Sequence, residues 1–279
     1  MIWMITGLHD PRWFQNSIEN YLRQDYPEKH LVLVENGDGI GVGEYRVNFL
    51  KLGITVIRSE PGAAASLNAA LSWLKANASP DDWICKCDSD DYYGPKYLDS
   101  IQEAAEAGAD YAGRASLYIR TTDNQLWYVE GETDAHLFHG PTIASRLGDA
   151  LDFPLVDQWG EDDLWCRAMH HAGLKPFTLA PEHFCYQRWR NYNHTWPCSD
   201  FEIRTSWLVP FRDLGPCDMD IVDGLKPRPV GSILETPNVE VNDLMATRVL
   251  MEQIDPSLKQ ALENGPTALA KYMQERSGQ

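Results

Sequence analysis

Positive charge is scarce in this chain. Its 279 residues carry 24 Lys and Arg against 41 Asp and Glu, a formal net charge of −17. Such a balance repels phosphate, which argues against an electrostatic grip on nucleic acid or on anionic lipid, though a locally basic pocket stays open. No stretch approaches the ~20 apolar residues of a membrane span. The first residues, MIWMITGLHD, have no basic segment and no long apolar run, so they do not read as a secretory signal. The 6 cysteines include no CxxC pair, and no His/Cys grouping has zinc spacing. Reduced thiols and a cytoplasmic location are the expectation. Low-complexity segments and internal repeats are absent. What remains is an ordinary globular composition, 43% hydrophobic and 23% charged, which excludes wholesale disorder.

The first half alternates apolar β-rich runs with helical periodicity. Ile2 to Thr6, Leu31 to Val34, Ile54 to Ile57 and Trp83 to Cys87 read as strands. Between them, Pro11 to about Tyr26 has Trp13, Phe14, Ile18, Tyr21 and Leu22 at helix spacing, and Ala63 to Ala76 puts Leu67, Ala70, Leu71 and Leu74 on one face. Such alternation implies an α/β fold, a mostly parallel sheet with helices on both faces. Ligands bind such sheets at the carboxyl ends of the strands. Thr6, Glu35-Asn36, Arg58 and Asp88 to Asp91 all fall there. Beyond about residue 110 the pattern changes. Tyr111 to Thr122 and Gln125 to Glu130 read as a strand pair around Asp123-Asn124. Glu161 to His171 reads as a helix capped by Gly173, and Phe177 to Leu179 as a further strand. After about 205, loops rich in Pro and Gly lead to two helical stretches, about 240–254 and 257–275. The domain division expected is 1–200 as the main domain and 201–279 as a carboxy-terminal extension of loops then helices.

Three features could carry chemistry. Asp88-Ser89-Asp90-Asp91 puts three carboxylates at the end of an apolar strand. A divalent cation such as magnesium or manganese would relieve their repulsion, although Asp is also common in plain turns. Trp159-Gly160-Glu161-Asp162-Asp163 opens a helix. Acids there suit the helix dipole; a carboxylate facing a cleft could equally take a proton from an acceptor hydroxyl. His194 lies in an aromatic and basic run with Arg188, Trp189, Arg190 and Trp196. Its arginines suit a diphosphate, and its aromatics serve equally as sugar platforms or as core.

In order along the chain, these pieces resemble family 2 glycosyltransferases of the GT-A fold, over about residues 1–198. Leu22-Arg23-Gln24-Asp25-Tyr26-Pro27 is similar to the family's L-x-Q-x-Y-P, and Val34-Glu35-Asn36-Gly37 stands where V-D-D-G is usual. Glu60-Pro61-Gly62 through Asn68-Ala69 looks like its N-x-G-x-x-x-A-R-N-x-G segment, with Ser66-Leu67-Asn68 in place of A-R-N. Asp88-Ser89-Asp90-Asp91 with Pro95 and Leu98 resembles the DxD motif and its sequel. Gly160-Glu161-Asp162-Asp163-Leu164-Trp165 with Arg167 matches G-E-D-x-D-L-W-x-R minus one spacer.

The resemblance implies a metal-dependent inverting hexosyltransferase using Mn2+ or Mg2+. Its donor would be a UDP-, GDP- or dTDP-sugar and its acceptor a saccharide or glycoconjugate. Thr6 and Glu35 would contact the base with Arg58 close by, Asp88 the ribose or base, and Arg188 and Arg190 the diphosphate. Asp90 and His194 would hold the metal, and Trp159 and Trp189 the acceptor. Asp162 would be the catalytic base with Glu161 beside it. Apart from the resemblance, the tail after about residue 200 is open to three uses: an acceptor lid, a docking element, or a homodimer contact through its helices. Competing readings are a sugar nucleotidyltransferase, disfavoured because Gly7-Leu8-His9-Asp10-Pro11-Arg12 has one glycine rather than a Gly-rich basic loop; a non-catalytic sugar-binding module; and a glycosyltransferase acting on modified DNA.

Overall fold

The computed structural model describes residues 1–36, 52–131, 136–156, 160–188 and 211–229, and the backbone of 232–233. The chain divides into Met1–Leu234 and Glu235–Gln279, and the described residues all lie in the first unit. The helical stretches read at 240–254 and 257–275 therefore lie outside the described residues, as do Trp159, Trp189, Arg190 and His194.

The α/β expectation holds. Strands β1 (Ile2–Leu8), β2 (Lys29–Asn36), β3 (Ile54–Ser59) and β4 (Trp83–Lys86) pair in parallel, in the order β4-β1-β2-β3. Beyond β4 the sheet continues through β9 (Ala144–Arg146), β6 (Tyr111–Gly113) and β10 (Pro176–Thr178), with β9 antiparallel to both its neighbours. β1 shows why helices cover both faces. Ile2 and Met4 enter one apolar cluster with Tyr21, Leu98 and Ile101; Trp3 and Ile5 enter a second with Leu71, Leu74, Trp165 and Met169. Alternation along the strand sends successive side chains to opposite faces, and here both are apolar. The first cluster is closed by α1 (Phe14–Arg23) and α3 (Tyr97–Glu106), the second by α2 (Ala63–Asn77) and α4 (Glu161–His171).

A second sheet runs β13-β12-β8-β7-β11-β5. Its strands are β5 (Tyr92–Tyr93), β7 (Leu117–Arg120), β8 (Gln125–Val129), β11 (Phe184–Gln187), β12 (Phe211–Pro216) and β13 (Ser232–Ile233). Two sequence expectations change here. Tyr111 to Thr122 is not one strand: β6 joins the first sheet and β7 the second. The break falls at Gly113-Arg114, where Gly113 lies against Phe138 and the Arg114 side chain is buried, its Nη2 donating to Ser100 Oγ and Glu182 O. Phe211–Pro216, read as loop, is a strand antiparallel to β8, with a register shift between Asp213 and Gly215 that a Gly at φ 88° accommodates. The short helix α5 (Met219–Val222) follows, with the Asp218 side chain accepting from the Asp220 N–H at its start. Leu22, read as part of the apolar face of α1, is exposed, while Asn20 is buried. Among the described residues no helix is long and apolar enough to cross a membrane.

Candidate functional site

The parallel ladder brings the carboxyl ends of β1, β2, β3 and β4 to one edge. A cavity of about 600 Å³ opens there. Gly7 of β1 and His9 just beyond it, Asn36, Ser66 of α2, and Lys86 to Asp90 line one side; Gly140, Pro141 and Gly160 to Asp163 line another; Leu117, Ile119, Val129, Tyr186 and Phe211 form an apolar wall from the second sheet.

The turn after β4 is gripped from below by α1. Asn16 Nδ2 donates to Ser89 O at 2.7 Å and Asp91 O at 2.9 Å, and Asn20 Nδ2 donates to Asp91 O at 2.8 Å. The i,i+4 spacing puts both amides on one helix face. The three aspartates then part company. Asp88 and Asp90 line the cavity. Asp91 is buried beneath it, accepting the Gln187 N–H at 2.9 Å through Oδ1, with Oδ2 unpartnered among the described residues. Burial, then the charges of Asp90 and Asp88, push the Asp91 carboxyl well up from the ordinary aspartate value. Asp91 thus ties the turn to β11.

Helix α4 starts after Gly160, which has φ 112° and provides no side-chain cap. Its three acids have three fates. Asp163 turns outward and meets Arg167 one turn on, at 2.8 Å. Glu161 is buried, 6% exposed. Asp162 reaches across to the first sheet, where Lys86 Nζ donates to its Oδ2 at 2.8 Å. The same ammonium lies 3.5 Å from Asp88 Oδ1. An ion pair along the helix occupies Asp163 at the cavity's rim, whereas Asp162 is committed across the cavity to Lys86.

Lys86 was not among the residues the sequence singled out. Its only signal was one lysine inside an apolar strand. Its side chain is 9% exposed. Burial works against its charge, but Asp162, Asp88 and Glu161 outweigh that and hold its pKa above the ordinary lysine value. Asp162 does not shift the opposite way, as it would in an isolated ion pair: burial raises its pKa, the Asp88 charge adds to this, and Lys86 only partly offsets them. Asp88 is likewise raised, chiefly by burial and against the pull of Lys86.

Two further contacts fix this geometry. Gly140 packs against the Asp162 carboxylate; a Cβ there would stand 1.9 Å from Oδ2 and 2.6 Å from Cγ. The Tyr93 hydroxyl accepts the Asp88 N–H at 2.7 Å and donates to Pro141 O at 2.9 Å, joining the acidic turn to the segment behind Asp162. That segment is pinned in turn by His139 N–H to Arg114 O and by Arg114 N–H to Thr142 Oγ1, both 2.9 Å. The His139 ring contacts Ala115 O through Nε2 at 3.1 Å, and burial pulls its pKa down to about 4.

Of the residues expected at the site, Asp88, Asp90, Glu161 and Asp162 converge on the cavity. Thr6 and Glu35 are buried below its rim, 2% and 0% exposed. Glu35 Oε2 accepts from Arg58 Nε at 2.8 Å, across paired positions of β2 and β3, while most of the Arg58 side chain reaches solvent. Arg188 is largely buried, with its guanidinium 5.8 Å from the ring of Tyr186, which lines the cavity. Asn36 exchanges two hydrogen bonds with Gly62, whose φ of 129° starts α2. Among the described residues no three His, Cys, Asp or Glu side chains are grouped to hold a metal ion.

No curated protein matches the chain. Solved structures do. One is S. aureus TarS 1-349, at 17% identity and a TM-score of 0.50, aligned over 67% of this chain and 60% of that one. Another is GalNAc-T7 with UDP, GalNAc and Mn2+, at 8% identity and a TM-score of 0.54, over 73% of this chain and 46% of that one. The chain thus spans less than two thirds of either structure. At such identities the likeness concerns the fold, and it bears out the GT-A expectation. The sequence carries the rest. The model of the family described as Glycosyl transferase family 2 matches residues 10–158, from just before α1 through the acidic turn of Asp88 to Asp91 and past β9. With just over half of its length matched, this chain belongs to glycosyl transferase family 2.

Proposed function

We propose that the chain transfers a glycosyl group, with inversion, from a nucleoside-diphosphate sugar to an acceptor hydroxyl on a saccharide or glycoconjugate. The observation that carries this reading is the convergence of Asp88 and Asp90 with Glu161 and Asp162 on one cavity at the strand ends, from elements about 70 residues apart. Asp162 is the general base: it takes the acceptor O–H proton as that oxygen bonds to the anomeric carbon. The bond from that carbon to the diphosphate breaks, and its electron pair leaves with the diphosphate. General-base assistance of this kind is worth ~10²–10⁴-fold.

A divalent cation fits the donor set. Asp90 offers hard carboxylate oxygen at the cavity wall. His194, the other residue expected to hold it, lies outside the described residues, and oxygens of the bound diphosphate would complete the shell. Bound there, the cation supplies Lewis-acid neutralisation of the departing diphosphate. The solved GalNAc-T7 complex, with UDP and Mn2+, supports divalent-metal use without extending to the sugar.

The test is a thermal-shift panel of UDP-, GDP- and dTDP-sugars with Mn2+, Mg2+ or chelator. The donor stabilises by mass action, so it stands out only with metal, and Asp90→Ala abolishes that shift. The selected donor then serves in a turnover assay. Asp162→Asn should keep the shift and lose at least ~10²-fold in transfer. Wild-type transfer by Asp162→Asn would refute the base, and release of pyrophosphate rather than a nucleoside diphosphate would refute glycosyl transfer.

A further inference from the structure

Lys86 is an unusual occupant of its position. It lies in β4 between Cys85 and Cys87, both fully buried, and strand alternation puts it on the face of Ile84, against the apolar cluster that contains Leu67, Phe138 and Trp165. A buried ammonium costs stability unless it is paired. Here it meets two carboxylates that come from different parts of the chain: Asp162 Oδ2 at 2.8 Å and Asp88 Oδ1 at 3.5 Å. Asp162 is thereby held at three points. The ammonium takes Oδ2, Gly140 closes the space beside the carboxylate, and the helix start fixes its backbone. Its Oδ1 is buried and has no hydrogen-bond partner among the described residues, so its lone pairs stay unsatisfied until a partner reaches it.

Resting on the reading of Asp162 as the base, we infer that Lys86 is a positioning residue for the transfer step: its ammonium holds one Asp162 oxygen and leaves the other for the acceptor proton. Through Asp88 the same ammonium keeps the base in register with the donor side of the cavity. Lys86 itself touches no reacting atom in this scheme. A point charge on a flexible stem suits a bridge between two carboxylates at these distances; a planar guanidinium, larger and differently directed, does not. Because a base misplaced by about 1 Å can cost ~10²-fold, the effect of Lys86 belongs in turnover and not in donor affinity.

The test uses the full chain with the nucleotide sugar and cation selected by the panel, followed as nucleoside diphosphate released. Lys86→Met keeps the length and removes the charge. It should lower kcat at least ~10-fold and leave the donor KM within ~3-fold. Made in the Asp162→Asn background, the same substitution should cost less than ~2-fold, because the residue it positions is already disabled. An equal loss in both backgrounds overturns the proposal, as does a raised KM with kcat intact. If Lys86→Met does not fold, Lys86→Arg decides. Lowered kcat with donor KM retained supports positioning, and wild-type kcat reduces Lys86 to charge compensation. A ligand-free crystal structure of either variant gives a readout apart from activity: Asp162 should leave its place against Gly140, and an unmoved carboxylate overturns the inference. The two levels fail separately. A wild-type Asp162→Asn sinks the base, whereas an inactive Asp162→Asn beside a fully active Lys86→Met sinks only the role of Lys86.

Discussion

Gly140→Ala isolates the placement of one carboxylate. The added methyl would stand 1.9 Å from Asp162 Oδ2, 2.6 Å from Cγ and 3.1 Å from Cβ. Ordinary contact needs about 3.5 Å, so the carboxylate must retreat by roughly 1.5 Å. The 2.8 Å hydrogen bond from Lys86 cannot survive that shift. A displacement of this size costs on the order of 10²-fold in rate, or about 2.7 kcal/mol in barrier. Stability should fall only modestly, because Asp88 still stands 3.5 Å from the buried Lys86 ammonium that loses its Asp162 partner. Gly140 does not have positive φ, the obstructing atoms are the end of a side chain, and alanine restrains the unfolded chain by about 0.4–1 kcal/mol. The expected result is a melting temperature within a few degrees of wild type, an unchanged donor shift, and kcat down about 100-fold. Thermal unfolding by circular dichroism and nucleoside diphosphate release at saturating donor measure both. Undiminished kcat would show that the Asp162 position does not matter; a collapsed melting temperature would show that the glycine protects the turn and not the carboxylate.

Two stability predictions follow from groups behind the cavity. Tyr93→Phe strands the Asp88 N–H and the Pro141 carbonyl, and should cost about 1–3 kcal/mol in urea unfolding, with an unchanged midpoint refuting the bridge. Burial keeps the His139 imidazole neutral down to about pH 4, whereas the unfolded chain takes up a proton near pH 6.5, so this residue's contribution is lost as pH falls between those values. His139→Gln should flatten that limb of the stability curve, and an identical limb in both proteins would assign the loss to other groups.

Much of the fold was legible because its signals are local. The apolar runs of β1 to β4 and the periodicity of α2 and α4 announce an alternating parallel sheet, and Glu161–His171 is helical over the span its pattern suggests. The acidic turn and the Glu161-Asp162 pair were legible for the same reason. Features that depend on distant partners were not. β9 is three residues long and gains its strand conformation only between β4 and β6. Phe211–Pro216 carries the Pro and Gly of a loop, yet pairs with β8. The sorting of Asp162 inward and Asp163 outward needs Lys86 on one side and Arg167 on the other, and only the second lies at a spacing visible along the helix. Lys86 itself reads as a stray charge until Asp162, 76 positions away, is set beside it.

The contacts around Tyr93 have a consequence for how such a site could change its substrate. Asp88, the Tyr93 hydroxyl, Pro141, Gly140, Asp162 and Lys86 form a closed circuit that returns along β4 to Asp88. No member can drift without disturbing the next. Leu67, Ile119, Tyr186 and Phe211 line the same cavity from outside this circuit. Reshaping the cavity at those walls therefore leaves the spacing of the carboxylates alone. Substitutions there would alter what the cavity admits while the arrangement of carboxylates proposed to accept the proton is inherited intact.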